Sequence, residues 1–221
     1  MKELFRYKNE RSSAEADKIL LISLNERNAG ACVTNSACDQ LFDVVYYSGD
    51  MIDLQSFQAN AKFLNDRYPK IVIGSNYEPD NPVPAEIKNW VNTNFGGAMI
   101  LDQVGINRKH LADDGLYADF KTDQLSIALI KDGELLLIAN QDYETSADLL
   151  WHFLNICDRF SITPQDIQLK LSGFIEKDSA LYKELYQYFL HIDFDDAEWG
   201  VAGDYPAHYF RSFNKLARCV S

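Results

Sequence analysis

The chain has 221 residues, of which 47% are hydrophobic, and a formal net charge of −12 at pH 7. That length suits one large domain or two small ones, and the apolar content excludes a disordered chain as the default. An acidic chain without a dense cluster of Lys or Arg repels phosphate backbones, which argues against nucleic acid and anionic membrane as partners.

The first residues, Met1-Lys-Glu-Leu-Phe-Arg-Tyr-Lys-Asn-Glu-Arg11, lack the apolar core of a signal peptide. No later run approaches the roughly 20 apolar residues that span a bilayer. Cys32, Cys38, Cys157 and Cys219 are scattered rather than arranged as a disulfide framework. Together these features lead to the expectation of a cytoplasmic protein without membrane insertion. Residues 1–17 are charged and polar and read as a loosely docked lead-in.

Lys18–Leu24 is a buried-strand candidate, Asn28-Ala29-Gly30 turns the chain, and Ala31–Thr34 can return beside it. Leu41–Tyr47 makes a third strand. Asp53 opens a helix carrying Leu54, Phe57, Ala61 and Leu64 inward, and Lys70–Gly74 is a short buried strand. Asn76–Pro84 holds three of the six prolines and reads as a loop. A helix with Ile87, Trp90 and Val91 follows, with Pro84 near its first turn and Gly96-Gly97 as its stop. Ala98–Leu101 is another strand, and the polar residues 102–116 mark the subdomain boundary.

In the second half, Leu125–Ile130 and Glu134–Ala139 flank Lys131-Asp132-Gly133, a strong hairpin signal because glycine accepts positive φ. Thr145 and Asp148 have the spacing of a capping box, and Leu149, Leu150, Phe153, Leu154 and Cys157 form one helical stripe. Ile167–Leu171 alternates as a half-buried strand, a helix is expected over Asp178–Phe189, and His191–Phe194 closes the sheet. Pro206–Arg218 reads as a final helix packed through Phe210, Phe213 and Leu216. The two halves share this order of elements, which predicts an α/β chain of two subdomains, 18–110 and 111–221, each a mixed sheet flanked by helices.

A duplicated βββαβα unit resembles the actin-like ATPase superfamily, whose halves are ribonuclease-H-like. Asp132–Asn140, Ser146–Leu150, Leu169–Gly173, Asp178–Tyr182 and Tyr205–Phe210 resemble an uncharacterised bacterial family, domain of unknown function 3822, with that fold. Active members of the superfamily hold nucleotide phosphates on two Asp-x-Gly loops and clasp adenosine with a Gly-Gly turn. Here the corresponding stretches read Ser23-Leu24-Asn25-Glu26, Asp119-Phe120-Lys121-Thr122 and Ser172-Gly173-Phe174. The first has neither aspartate nor glycine, the second has lysine for glycine, and the third keeps one glycine. The resemblance therefore implies the scaffold with a degenerate nucleotide site.

No Walker loop, Rossmann fingerprint or nucleophile elbow is present in the sequence. The expectation is thus a silent adaptor or scaffold that works through protein partners, with no catalytic residue, metal or cofactor. The alternative is a protein that binds ATP in the cleft between subdomains through Asp119, Thr122, Ser172 and Gly173. Read as residues alone, Asp119 is a strand-end residue and Ser172-Gly173 a strand-to-helix turn. A third possibility, a two-metal nuclease, needs converging carboxylates. The densest acidic run, Asp193, Asp195, Asp196 and Glu198, reads instead as a solvated loop. His110, His152, His191 and His208 show no paired ligand spacing. Abundant tyrosine and phenylalanine, if exposed near the acidic run, would suit a partner surface.

Overall fold

The computed structural model describes residues 1–9, 17–75, 83–110, 113–199 and 205–219. Two compact units divide the chain: Met1–Lys109 with Glu198–Tyr205 and Phe213–Ser221, and His110–Ala197 with Pro206–Ser212. The C-terminal residues are thus shared between the units.

In the first unit, β1 (Lys2–Lys8), β2 (Lys18–Leu24), β3 (Asn28–Asn35), β4 (Leu41–Ser48), β5 (Lys70–Ser75) and β6 (Met99–Asp102) form one sheet in the order β1-β4-β3-β2-β5-β6. Pairing is antiparallel from β1 to β2 and parallel from β2 through β5 to β6. The near-continuous apolar run of β2 follows from its central place: Leu20, Ile22 and Leu24 join the core formed with the helices, while Leu21 is equally buried on the other face. Helices α1 (Leu54–Asn60) and α2 (Ala85–Asn94) contribute Phe57, Trp90 and Val91 to that core. Asp53 caps α1 by accepting from the amides of Gln55 and Ser56. A single 3-10 turn, Lys62–Asn65, then delivers Leu64 to the same core.

Two stretches hold elements that the sequence reading does not assign. Residues 2–8, expected as a loose lead-in, form edge strand β1. Its charged composition hides the fastening: Arg6 donates to Glu3 Oε2 at 2.7 Å, to the Tyr47 hydroxyl at 2.8 Å and to the Asn60 carbonyl at 3.2 Å. Phe5 is buried and stacks on Tyr46 at 5.9 Å. Within the polar stretch 102–116, read as the subdomain boundary, residues 103–110 form α3 (Gln103–His110), begun where Asp102 accepts from the Gly105 amide at 2.6 Å. The expected loop over 76–84 lies, as far as residue 82, outside the described residues.

In the second unit, β7 (Gly115–Phe120), β8 (Gln124–Lys131), β9 (Glu134–Asp142), β10 (Gln168–Gly173) and β11 (His191–Phe194) are ordered β11-β10-β7-β8-β9. The Asp132-Gly133 turn has φ of 57° and 74°, and the Asp114 carboxylate accepts from both turn amides at 2.9 Å. A register shift between Leu129 and Ile130 leaves Leu136 as an extra, exposed residue on β9. Helix α4 (Ser146–Arg159) carries the expected capping box and buries Leu149, Leu150, Phe153, Ile156 and Cys157. Helix α5 (Ala180–Leu185) is shorter than the expected 178–189: the chain leaves it in tight turns that bury Phe189 and start β11 beside β10.

Leaving β1 aside, the orders β4-β3-β2-β5-β6 and β9-β8-β7-β10-β11 are the same plan twice, with the first strand central, two antiparallel neighbours on one side and two parallel neighbours on the other. This is the duplicated ribonuclease-H-like arrangement with helices over mixed sheets. The last helix, α6 (Arg211–Arg218), follows a 3-10 turn at Ala207–Phe210. Within the first unit its Phe213 meets Tyr46 edge-on at 6.4 Å, and a Cβ on Gly30 would lie 2.7 Å from either ring. Only glycine on β3 leaves that space.

Two outcomes follow from these contacts. Thr145→Ala removes the hydroxyl that holds the Asp148 amide at 3.2 Å and lowers stability by about 1 kcal/mol in urea denaturation. Burial, reinforced by the bond to Glu3, pushes the Tyr47 phenol up to about 12. A raised phenol contributes stability below its unfolded value of roughly 10, and that contribution is lost as pH rises through the folded value. The decline of stability above pH 10 is therefore shallower in Tyr47→Phe, as alkaline denaturation followed by circular dichroism will report.

Candidate functional site

The end of β7 gathers three of the four site residues expected from the sequence, Asp119, Ser172 and Gly173. Asp119 closes β7 and lies in register with Ser172 on β10, so the two side chains share one face of the sheet. Ser172 donates its hydroxyl hydrogen to Asp119 Oδ1 at 3.0 Å. Lys121 folds back from the β7–β8 turn and sets its ammonium 2.6 Å from Asp119 Oδ2, with only 5% of its side chain exposed. Ser212, on the first turn of α6, donates to Asp119 Oδ2 at 2.9 Å and accepts from Lys121 Nζ at 3.3 Å. The carboxylate is thus engaged by a buried cation and two hydroxyls, an arrangement that neutralises it locally. Thr122 is exposed and outside this network. Sequence reading missed Ser212, which is 93 positions from Asp119 and carries no motif.

Backbone groups around the site are also engaged. The Lys121 amide donates to the Gln124 carbonyl at 2.8 Å, and the Lys121 carbonyl accepts from the Tyr143 hydroxyl at 2.6 Å. Gly173 has φ of 78°, and a Cβ there would fall 2.1 Å from the Phe120 carbonyl oxygen. That carbonyl accepts from the Phe174 amide at 2.9 Å. The single glycine of this turn is therefore required by close backbone approach within the sheet. Phe174 stands edge-on to Tyr209 at 5.5 Å.

The corresponding turn of the first unit closes on itself. Asn25, between β2 and β3, accepts through Oδ1 from the amides of Arg27 at 2.9 Å and Asn28 at 2.5 Å, and its own amide donates to the Asn28 carbonyl at 2.9 Å. Asparagine caps the amides that an Asp-x-Gly loop would turn toward phosphate. Elsewhere in this unit a groove of about 520 Å³ runs between α1 and α2 beside Asp53, Gln58, Glu86, Asn89, Trp90 and Thr93. Its lining has no Lys or Arg, so it offers negative charge and amide hydrogen bonds rather than a phosphate cradle.

Asp193, Asp196 and Glu198 of the acidic run are exposed, as a solvated stretch requires, although Asp193 lies on β11 and Asp195 is mostly buried. Asp195 pairs with Arg211 at 2.7 Å with both side chains mostly buried, and Asp196 faces His208 Nδ1 at 3.6 Å. Glu198 pairs with Arg218. His208 is buried, its Nε2 lies 2.7 Å from the Ile175 carbonyl, and its ring stacks on Phe194 at 4.2 Å. Tyr209, next in the chain, donates to Glu176. Tyr205–Phe210, a stretch quoted above for its family resemblance, therefore ties chain segments together through its aromatic and histidine side chains. Among the described residues, no three His, Cys, Asp or Glu side chains are placed to hold a metal ion, and no helix is long and apolar enough to cross a membrane.

Solved structures repeat this fold. A Bacteroides thetaiotaomicron protein described as having an actin-like ATPase fold and unknown function is 14% identical, with a TM-score of 0.68, covering 91% of this chain and 96% of that one. The ethanolamine utilization protein EutJ from Carboxydothermus hydrogenoformans is 12% identical, with a TM-score of 0.60, covering 95% of this chain and 91% of that one. AlfA from a Bacillus subtilis plasmid, solved as a filament, is 10% identical, with a TM-score of 0.52, covering 90% of this chain and 98% of that one. At these identities the likeness establishes the actin-like fold alone. No curated protein matches the sequence. Residues 81–192, just over half of the chain, match the family described as Protein of unknown function (DUF3822), and the chain belongs to that family.

Proposed function

We propose that this protein is a catalytically silent form of the actin-like fold that acts as a protein-binding adaptor. The observation that carries the reading is the Lys121 ammonium, held 2.6 Å from Asp119 where an active loop has glycine. A cation built into the chain occupies the only aspartate in the three nucleotide-loop stretches. Asn25 caps the first turn and the Phe174 amide is bonded to Phe120, so neither turn presents those donors to a phosphate. Support for a protein partner comes from the surface: Trp151, Tyr186 and Leu190 are all more than half exposed, although aromatic anchors of this kind are usually covered.

Thermal unfolding with and without millimolar Mg-ATP, Mg-ADP and Mg-GTP tests the reading. A nucleotide bound to the native state at 100 times its dissociation constant adds about 2.7 kcal/mol, which raises the melting temperature by several degrees. The expected result is no shift with any of the three. A rise that disappears in Asp119→Ala would sink the silent-adaptor reading and establish nucleotide binding through the retained carboxylate. Independently, Lys121→Ala leaves Asp119 without its buried cation, and urea denaturation should show a loss of about 3 kcal/mol. A loss below about 1 kcal/mol, the level of an exposed pair, would mean that the pair does not hold the site closed.

A further inference from the structure

The second unit ends its sheet on β11, a strand with a neighbour on one side only. The Asp195 amide donates to the Leu171 carbonyl of β10 at 2.8 Å, and backbone groups of a strand alternate sides residue by residue. Asp193 therefore faces β10 with its backbone, whereas the N–H and C=O groups of Ile192 and Phe194 point away from the sheet. Among the described residues no strand pairs with that side.

Immediately before this edge the chain exposes three large apolar side chains within five residues: Tyr186 at 57%, Tyr188 at 38% and Leu190 at 58%. Tyr186 is supported from below: it stacks on Tyr182 at 6.3 Å, and Tyr182 stacks on Phe194 at 5.7 Å. An aromatic stack thus connects this exposed side chain to the open strand itself. The charge beside the edge is negative: Asp193 is exposed on β11, and the Asp196 side chain is 62% exposed just beyond it. Lys170, in register with Asp193 on β10, pairs with Asp113 at 3.0 Å, and Asp193 Oδ2 accepts from the Gln168 side-chain amide at 3.1 Å. An open backbone edge, aromatic and aliphatic anchors and an acidic rim are the three parts of a strand-addition site.

We propose that β11, with Tyr186, Tyr188 and Leu190, takes an extended segment of a partner protein as an added strand, and that the segment carries lysine or arginine. This deepens the adaptor reading and rests on it. Backbone bonds to Ile192 and Phe194 give the segment its register, the apolar triad holds its hydrophobic side chains, and Asp193 and Asp196 select its charge.

The test titrates the full chain, isotopically labelled for amide NMR, with acetyl-KVKVKVK-amide and with acetyl-EVEVEVE-amide as the opposite-charge control. The expected result is shifts confined to residues 186–196 with the basic peptide, slowed exchange at the Ile192 and Phe194 amides, and no comparable binding of the acidic peptide. Tyr186→Ser with Leu190→Ser, both at exposed positions, should weaken the basic peptide about tenfold, the amide spectrum of the free variant checking that it is folded. Ile192→Pro should remove an outward donor while sparing the bonds to β10, and should weaken it similarly. Shifts scattered over the acidic surface, equal binding of the two peptides, or unchanged affinity in the double serine variant would overturn the site. Concentration-dependent self-association abolished by those serines would assign the face to a second copy of the chain and overturn it as well. Failure here with no nucleotide-induced thermal shift removes this docking face alone, whereas a nucleotide-induced shift removes the adaptor reading beneath it.

Discussion

The second unit is held together where β7 ends. Within two residues, the Phe120 carbonyl accepts the Phe174 amide and the Asp119 carboxylate accepts from Ser172, Lys121 and Ser212. These bonds join three stretches far apart in sequence: the hairpin turn after β7, the exit from β10 and the first turn of α6. A buried carboxylate must be matched by donors or cation, since an unpaired charge in such a place is strongly destabilising. The requirement accounts for a lysine with 5% side-chain exposure and for the glycine at 173, whose positive φ lets two backbones approach closely. The same residues that would be expected around a nucleotide are therefore accounted for by internal packing and charge balance.

Much of this fold could be read directly from local pattern. The Asp132-Gly133 hairpin and the Thr145–Asp148 capping box are local devices, complete within a few residues, and each appears as expected. Apolar β2, surrounded on both sides by other strands, is legible for the same reason: burial on two faces leaves a continuous hydrophobic run. What was not legible depends on distant partners. Strand β1 reads as a polar tail because Arg6 finds Tyr47 and Asn60 only after folding. Helix α3 has Gly105 and no apolar stripe, so its start rests on the Asp102 side chain.

The candidate site divides along the same line. Asp119, Thr122, Ser172 and Gly173 could be proposed because the fold has recognisable turns at those places; the structure brings Asp119, Ser172 and Gly173 together and leaves Thr122 exposed outside the network. Ser212 could not, since a serine in the first turn of a C-terminal helix carries no local mark of a partner 93 positions away. The acidic run divides in the same way. Asp193, Asp196 and Glu198 are exposed as its composition suggests, whereas the partners that face Asp195, Asp196 and Glu198, namely Arg211, His208 and Arg218, lie on the last 3-10 turn and on α6. Sequence proximity made a cluster of what folding separates into individual ties.

These observations bear on where activity can reside in such a chain. A turn whose amides are capped by Asn25, and a carboxylate already matched by Lys121, can be opened to a ligand only by giving up bonds that the fold uses. Surface groups are under no such constraint. Tyr186, Tyr188 and Leu190 contribute little packing where they stand, yet Tyr186 is held by the Tyr182–Phe194 stack beside an open strand edge. Exposed apolar area is unfavourable in water, and an open edge invites unwanted pairing unless a partner or a charge covers it. Leu136 shows the fold defending its opposite edge, β9, with a bulge, a device that interrupts regular pairing. No register shift interrupts β11, where all four residues pair in sequence with β10. The two edges of one sheet are thus treated differently, and the undistorted one lies beside the exposed aromatic side chains and the exposed acidic residues.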